Sequence, residues 1–321
     1  LVNNGGVEQQ EIAGDADYKS SDPLIPWQRI QHFKAAVDNS FTTGKNRVTL
    51  TLGYQRNQRQ EFGNVLDPGE KTLYFDLGTV NYNLQYHFAE KNNRRTTIGV
   101  NGMQQTNKNK GSEQLIPAYS FFDMGGFIFI QKRMDKLTLS AGIRVDNRSI
   151  DSKELMDGPD LKFAGFKKNF FNVSGSAGFT YEVSKIVTLK FNLARGFRAP
   201  AIPELASNGA HEGTNRFEYG EQNLRSESSL QADAGIVKAS EHVSFTANIF
   251  YNTLKNFIYY RKLQSVVGGD SLIINGAETF FAFRFNQENA KLYGIEFNLD
   301  IHPHPLDWLH IENTFSWVRG L

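Results

Sequence analysis

The chain has 321 residues, no cysteine, and nearly balanced charge, with 35 Lys and Arg against 34 Asp and Glu. That balance gives no global pull toward nucleic acid or an anionic membrane surface. No apolar run approaches the ~18 residues of a membrane helix, yet a negative mean hydropathy does not exclude membrane strands, in which only every second residue must be apolar.

The opening run, residues 2–22, is polar and rich in Gly and Asp, and reads as a loop. No signal peptide follows Leu1, so a protein of this pattern, which must be exported, reads as mature and truncated. Strict alternation then begins. Phe33, Ala35, Val37 and Phe41 share one face, against Lys34, Asp38 and Ser40 on the other. Val48, Leu50, Leu52 and Tyr54 repeat the pattern, as do Val80, Tyr82, Leu84, Tyr86 and Phe88. Further on come Leu137 to Val145, Phe171 to Tyr181, Val187 to Leu193, Val243 to Tyr251 and Tyr293 to Ile301. Leu309, Ile311, Phe315 and Trp317 close the series. Gly125 and Gly126 interrupt one strand, where bare backbone permits close packing.

Many runs reach about 9–11 residues, enough for a tilted strand to cross a bilayer. The pattern predicts about a dozen strands. Connections alternate between short (42–46, 133–136, 183–186, 240–241, 303–307) and long (56–71, 104–119, 147–168, 197–227, 256–280). This is the asymmetry of an outer-membrane barrel, with tight periplasmic turns and long extracellular loops. The fold expected is therefore all-β, a transmembrane antiparallel β-barrel. Asn81, Asn83, Gln85, His87, Arg144, Asp146, Lys190 and Glu296 fall on its lumen face. Trp27, Tyr54, Trp308 and Trp317 fall near strand ends, where amphipathic rings form an interfacial girdle.

The longest connection is also the most distinctive. Residues 195–229 read RGFRAPAIPELASNGAHEGTNRFEYGEQNLRSESS. Pro200, Pro203, Gly209, Gly213 and Gly220 break it, so it is neither a continuous strand nor a helix. It contains Phe197-Arg198-Ala199-Pro200, then Pro203-Glu204-Leu205, then a run from Asn208 and Gly209 through His211 to Gly213 and Thr214, then Asn223-Leu224 followed by Glu227. These boxes, in this order, resemble TonB-dependent outer-membrane receptors. The resemblance implies a portion of a 22-stranded type of barrel spanning residues 1–321, with the plug domain outside this chain and further strands beyond it. It implies import of a scarce nutrient, above all a ferric-siderophore complex, with haem as the next candidate. Its implied partners are outer-membrane lipid, a small metal-chelate ligand, and a TonB complex acting through the missing plug. The implied location is the outer membrane of a Gram-negative bacterium.

Within the loop, His211 and Glu212 are candidate ligands for iron, haem or zinc, and Arg198 and Arg216 candidate holders of an anionic chelate. The competing reading is that His211 and Arg216 pin the loop to the barrel rim through hydrogen bonds. His302 and His304, in the sequence HPHP, could form a metal pair but read as solvated turn residues. No catalytic residue, resident metal or cofactor is expected. Nucleophile elbows, phosphate loops and His-Glu-x-x-His pairs are missing, as are basic patches with interleaved aromatics for nucleic acid. A passive porin or structural barrel would share the alternation without the loop boxes. A soluble β-rich adhesin would have shorter strands around a dry core.

Overall fold

The computed structural model describes all residues except 1, 10–11, 13, 23–24, 212–214, 276–277 and 307. Twelve long strands dominate. They are β1 (Trp27–Thr43), β2 (Asn46–Phe62), β3 (Leu73–His87), β4 (Arg94–Asn109), β5 (Tyr119–Met134), β6 (Leu137–Ser152), β7 (Phe166–Glu182), β8 (Val187–Arg198), β9 (Glu227–Ala239), β10 (Val243–Lys262), β11 (Glu278–Ile301) and β12 (Ile311–Gly320). Each pairs antiparallel with its neighbours in sequence, and together they make one curved sheet. Among the described residues no ladder joins β1 to β12, so the sheet is open along those two edges.

The turns follow from local chemistry. Residues 44–45 and 135–136 each close a tight hairpin, with Gly44 and Asp135 at positive φ. Asn92 and Asn93 both take positive φ at the β3–β4 turn, the conformation that matches hairpin twist and that Asn tolerates. The β11–β12 turn spans residues 302–310, wider than the 303–307 that the prolines suggest, and Leu309 lies in it rather than in the last strand.

Register keeps one apolar face continuous. Leu139 pairs with Phe179, Phe179 with Phe191, Phe191 with Ala234, Ala234 with Ile249, Ile249 with Ile295 and Ile295 with Trp317. A second row runs from Val48 through Tyr86, Ile98, Ile128 and Ile143 to Gly175, Arg195 and Leu230. That row starts beside the β1–β2 turn and ends nine residues up β9 from Ala239, the stagger expected of strands tilted for a barrel. Large apolar side chains on this face remain exposed, among them Leu52, Leu84, Ile143 and Leu193. The opposite face is polar. There Arg144 forms an ion pair with Asp146 directly over Gly125, where an added Cβ would lie 2.1 Å from the Asp146 carboxylate.

The strands are longer than alternation alone indicates, reaching 24 residues in β11. Residues 56–62, 104–109, 147–152 and 256–262, expected in loops, extend β2, β4, β6 and β10. Residues 56–61 and 104–109 are polar on both faces, so period two vanishes there while the backbone ladder continues, because N–H and C=O groups still need partners. Trp27 likewise begins β1 instead of preceding it, and stacks on Phe62 with centroids 4.1 Å apart. At the far end of β1 it stands about 40 Å above the short turn for a ~40° tilt, beyond a ~25 Å apolar belt.

Candidate functional site

The long connection between β8 and β9 folds down over the long-loop end of the polar face. Its anchor is Arg198, the last residue of β8. Arg198 Nε donates to Glu227 Oε2 at 2.6 Å, and Nη1 donates to both Glu204 oxygens at 2.8 Å. The two carboxylates hold the guanidinium above its already high ordinary pKa, the Glu227 hydrogen bond contributing most. Glu227 Oε1 accepts from the Ile258 backbone N–H of β10, so one carboxylate ties three strands together.

Glu204 has a second task. It sits in the short helix α1 (Ile202–Ala206), and its Oε2 accepts from Ala201 N at 2.7 Å, capping the first turn. The prolines explain why a helix starts there. Pro203 has no N–H to offer in the first turn, where none is required. The apolar residues of the same segment form a core. Ala199, Ile202, Leu205 and Leu224 pack with Ile116, Phe121, Ile150, Phe170 and Ile258, and Leu205 is only 1% exposed. Phe121, Ile150 and Phe170 project from the face opposite the apolar rows, so this core lies on the lumen side.

Asn208–His211 then forms a hairpin with Arg216–Tyr219, whose second arm adds in parallel to Phe281–Arg284 of β11. Asn208 fastens it further, through its N–H to Leu115 O and its Nδ2 to Lys162 O. Gly220 makes a close approach, since a Cβ there would lie 2.3 Å from Ala206 N.

The structure brings Arg198, Glu204, Leu205, Leu224 and Glu227 together, with Ala199 and Pro200 buried beside them. Arg216 is placed apart, with its guanidinium 4.6 Å from the Tyr260 ring and 5.7 Å from Phe283. Its Nε lies 3.8 Å from Glu218 and makes no hydrogen bond among the described residues. Of His211 only the backbone is described, paired with Arg216. Glu212, Gly213 and Thr214 lie outside the described residues. Asn223 is exposed and its N–H donates to Glu221. Phe197 lines a cleft beneath the loop, together with Tyr82, Asp123, Arg144, Asp146 and Arg148. In that cleft Arg148 donates to both oxygens of Asp123, at 2.7 and 2.6 Å.

Sequence reasoning missed the aromatic and cationic side chains beside Arg216. Lys262 Nζ stands 3.9 Å above Phe281, and Arg284 lies 5.7 Å from Tyr219. The signal was the alternation in residues 280–286, FFAFRFN, where the long connection 256–280 ends. Tyr119 also belongs to this region; burial pushes its phenol up to about 12, and it donates to Gln105 Oε1 at 2.9 Å.

A staggered antiparallel sheet, apolar on one face through a belt and polar on the other, with tight turns at one end and structured loops at the other, defines an outer-membrane β-barrel domain. Residues 3–320 match the family described as TonB dependent receptor-like, beta-barrel, and the chain belongs to that family. It is accordingly an outer-membrane protein of a Gram-negative bacterium. Several solved structures share the fold. The copper transporter OprC superposes with a TM-score of 0.71 at 15% identity, over 91% of this chain and 46% of that one. The hemophore receptor HasR of Serratia marcescens, a double mutant solved with its hemophore HasA and haem, gives 0.70 at 14% identity, over 91% and 49%. The siderophore receptor PirA of Acinetobacter baumannii gives 0.64 at 17% identity, over 91% and 44%. The chain thus spans about half the length of these relatives.

Proposed function

We propose that residues 1–321 form part of the barrel of a longer receptor that captures a ferric-siderophore complex outside the cell and admits it through the barrel. In this reading the plug domain lies elsewhere in the full-length protein and couples to a TonB complex. The observation that carries the choice of cargo is the run of cations on aromatic rings beside the anchored loop: Arg216 on Tyr260 and Phe283, Lys262 on Phe281, and Arg284 near Tyr219. Such a surface suits an anionic chelate with flat aromatic donors, which gains both ion pairing and stacking. The anchored loop supplies a rigid platform, so little ordering entropy is spent when cargo docks.

The test is uptake of radio-iron as a ferric tris-catecholate by cells carrying the full-length receptor. Combined Arg216→Ala, Lys262→Ala and Arg284→Ala substitutions should reduce uptake about tenfold, from three contacts of ~0.5 kcal/mol each. Unchanged uptake would overturn the proposal. Loss of haem uptake in His211→Ala, with ferric-chelate uptake intact, would assign the receptor to haem instead.

A further inference from the structure

Four of the seven histidines in the chain, His242, His302, His304 and His310, gather at the adjacent β9–β10 and β11–β12 turns of the short-turn end, far from the loop described above. His302 and His310 are the first and last residues of the β11–β12 turn, directly beyond the cross-strand pair Ile301–Ile311. His302 Nε2 is 2.7 Å from Asp300 Oδ2, and His302 Nδ1 is in direct contact with His310 Nε2. On the outer side of the second ring, His310 Nδ1 lies 3.7 Å from Glu312 Oε1. One ligand atom from each of Asp300, His302 and His310 lies within 4.8 Å of the others. Asp300 Oδ1 is buried and has no hydrogen-bond partner among the described residues.

The arrangement has a chemical logic. A carboxylate beside one ring nitrogen holds the proton there and leaves the lone pair on the other nitrogen. Asp300 does this for His302, which leaves His302 Nδ1 facing His310 Nε2, so two imidazole nitrogens converge on one point between the strands. Glu312, beyond hydrogen-bond reach of His310 Nδ1, adds negative charge on the outer side. Histidines that converge in this way, one of them backed by a carboxylate, suit a borderline divalent transition ion, which takes neutral imidazole nitrogen and carboxylate oxygen readily. Half-exposed His310 leaves the remaining coordination positions open to water. His304 is turned away from this point, its ring stacked 5.9 Å from that of His242, so the pair is His302 with His310 and not the adjacent-in-motif His302 with His304.

We propose that His302 and His310, with Asp300 orienting the His302 ring, form a zinc- or copper-class site on the periplasmic rim that clips the β11–β12 turn. The experiment is a titration of the metal-stripped full-length receptor in detergent with Zn2+ against a chromophoric chelator at neutral pH. Wild type should bind one equivalent that His302→Ala and His310→Ala each lose or weaken at least tenfold. Asp300→Asn should weaken it about 10- to 100-fold, as removal of a metal-histidine carboxylate partner does. His304→Ala should leave it intact. Heat-modifiable gel mobility confirms that each variant is folded. With Cu2+, electron paramagnetic resonance should show two imidazole nitrogens in wild type and fewer in His310→Ala. Equal binding by wild type and the His302→Ala/His310→Ala double variant, or an equal loss in His304→Ala, would overturn the site.

Discussion

The lipid belt and the extracellular crown use the same strands but are held together differently. In the belt, rows such as Leu139, Phe179 and Phe191 leave their side chains exposed, and their stabilisation comes from a solvent that is itself apolar. In the crown, apolar strand residues such as Phe121, Ile150, Phe170 and Ile258 turn to the lumen side and join a small core around Leu205, held with the Arg198, Glu204 and Glu227 cluster. The belt is therefore sensitive to polarity at single positions, and the crown to lost volume and lost charge partners. A receptor built this way can vary its crown without disturbing its insertion.

Separate perturbations should break one region and spare the other. Leu205→Ala, which opens a cavity at a fully buried position, should cost the crown about 2–5 kcal/mol. Protease susceptibility of the loop should rise, while folding into lipid is unchanged. Leu139→Arg or Phe179→Arg should do the reverse, destabilising insertion by about 2–4 kcal/mol at mid-bilayer. Refolding titrations into vesicles measure that loss. Arg198→Ala leaves the nearly buried Glu227 without its cation, at about 1–3 kcal/mol, again read as loop proteolysis.

The smallest expected effect is a pH response of the crown. Asp76, near the outer end of β3, accepts from Arg56 Nε and Nη2 at 2.8 Å and from Lys110 at 2.5 Å. Chiefly through the Arg56 hydrogen bond, its carboxyl is held well below the usual carboxylate range. A depressed folded-state pKa contributes stability above the ordinary carboxylate pKa of roughly 4, and that contribution is lost as pH falls further. Protection of the β2–β3 loop in hydrogen exchange should therefore weaken below about pH 4 in wild type. In Asp76→Asn the same loop should respond less.

Period two made the belt legible, because the faces of each strand meet different solvents; the dozen strands and the order of turns and loops follow from it. The crown extensions were illegible for the complementary reason. Residues 55–61, QRNQRQE, are polar on both faces, so no pattern marks them as strand although they pair fully with β3. Within the loop, Arg198, Glu204 and Glu227 could be picked out as motif residues. Their mutual contact could not, since a short helix and a strand return separate them by up to 29 positions. The HPHP sequence drew attention to His302 and His304, whereas register across the turn places His310 against His302.

Everything assigned to the crown and to the metal-binding rim depends on which end faces outward. These 321 residues contain no cysteine, so an introduced cysteine is the single thiol of this part of the barrel. Arg225→Cys in the long loop and Lys45→Cys in the β1–β2 turn are both at exposed positions. A membrane-impermeant maleimide applied to intact cells should label Arg225→Cys, and should label Lys45→Cys only after the outer membrane is opened. Labelling of Lys45→Cys in intact cells with Arg225→Cys protected would contradict the account.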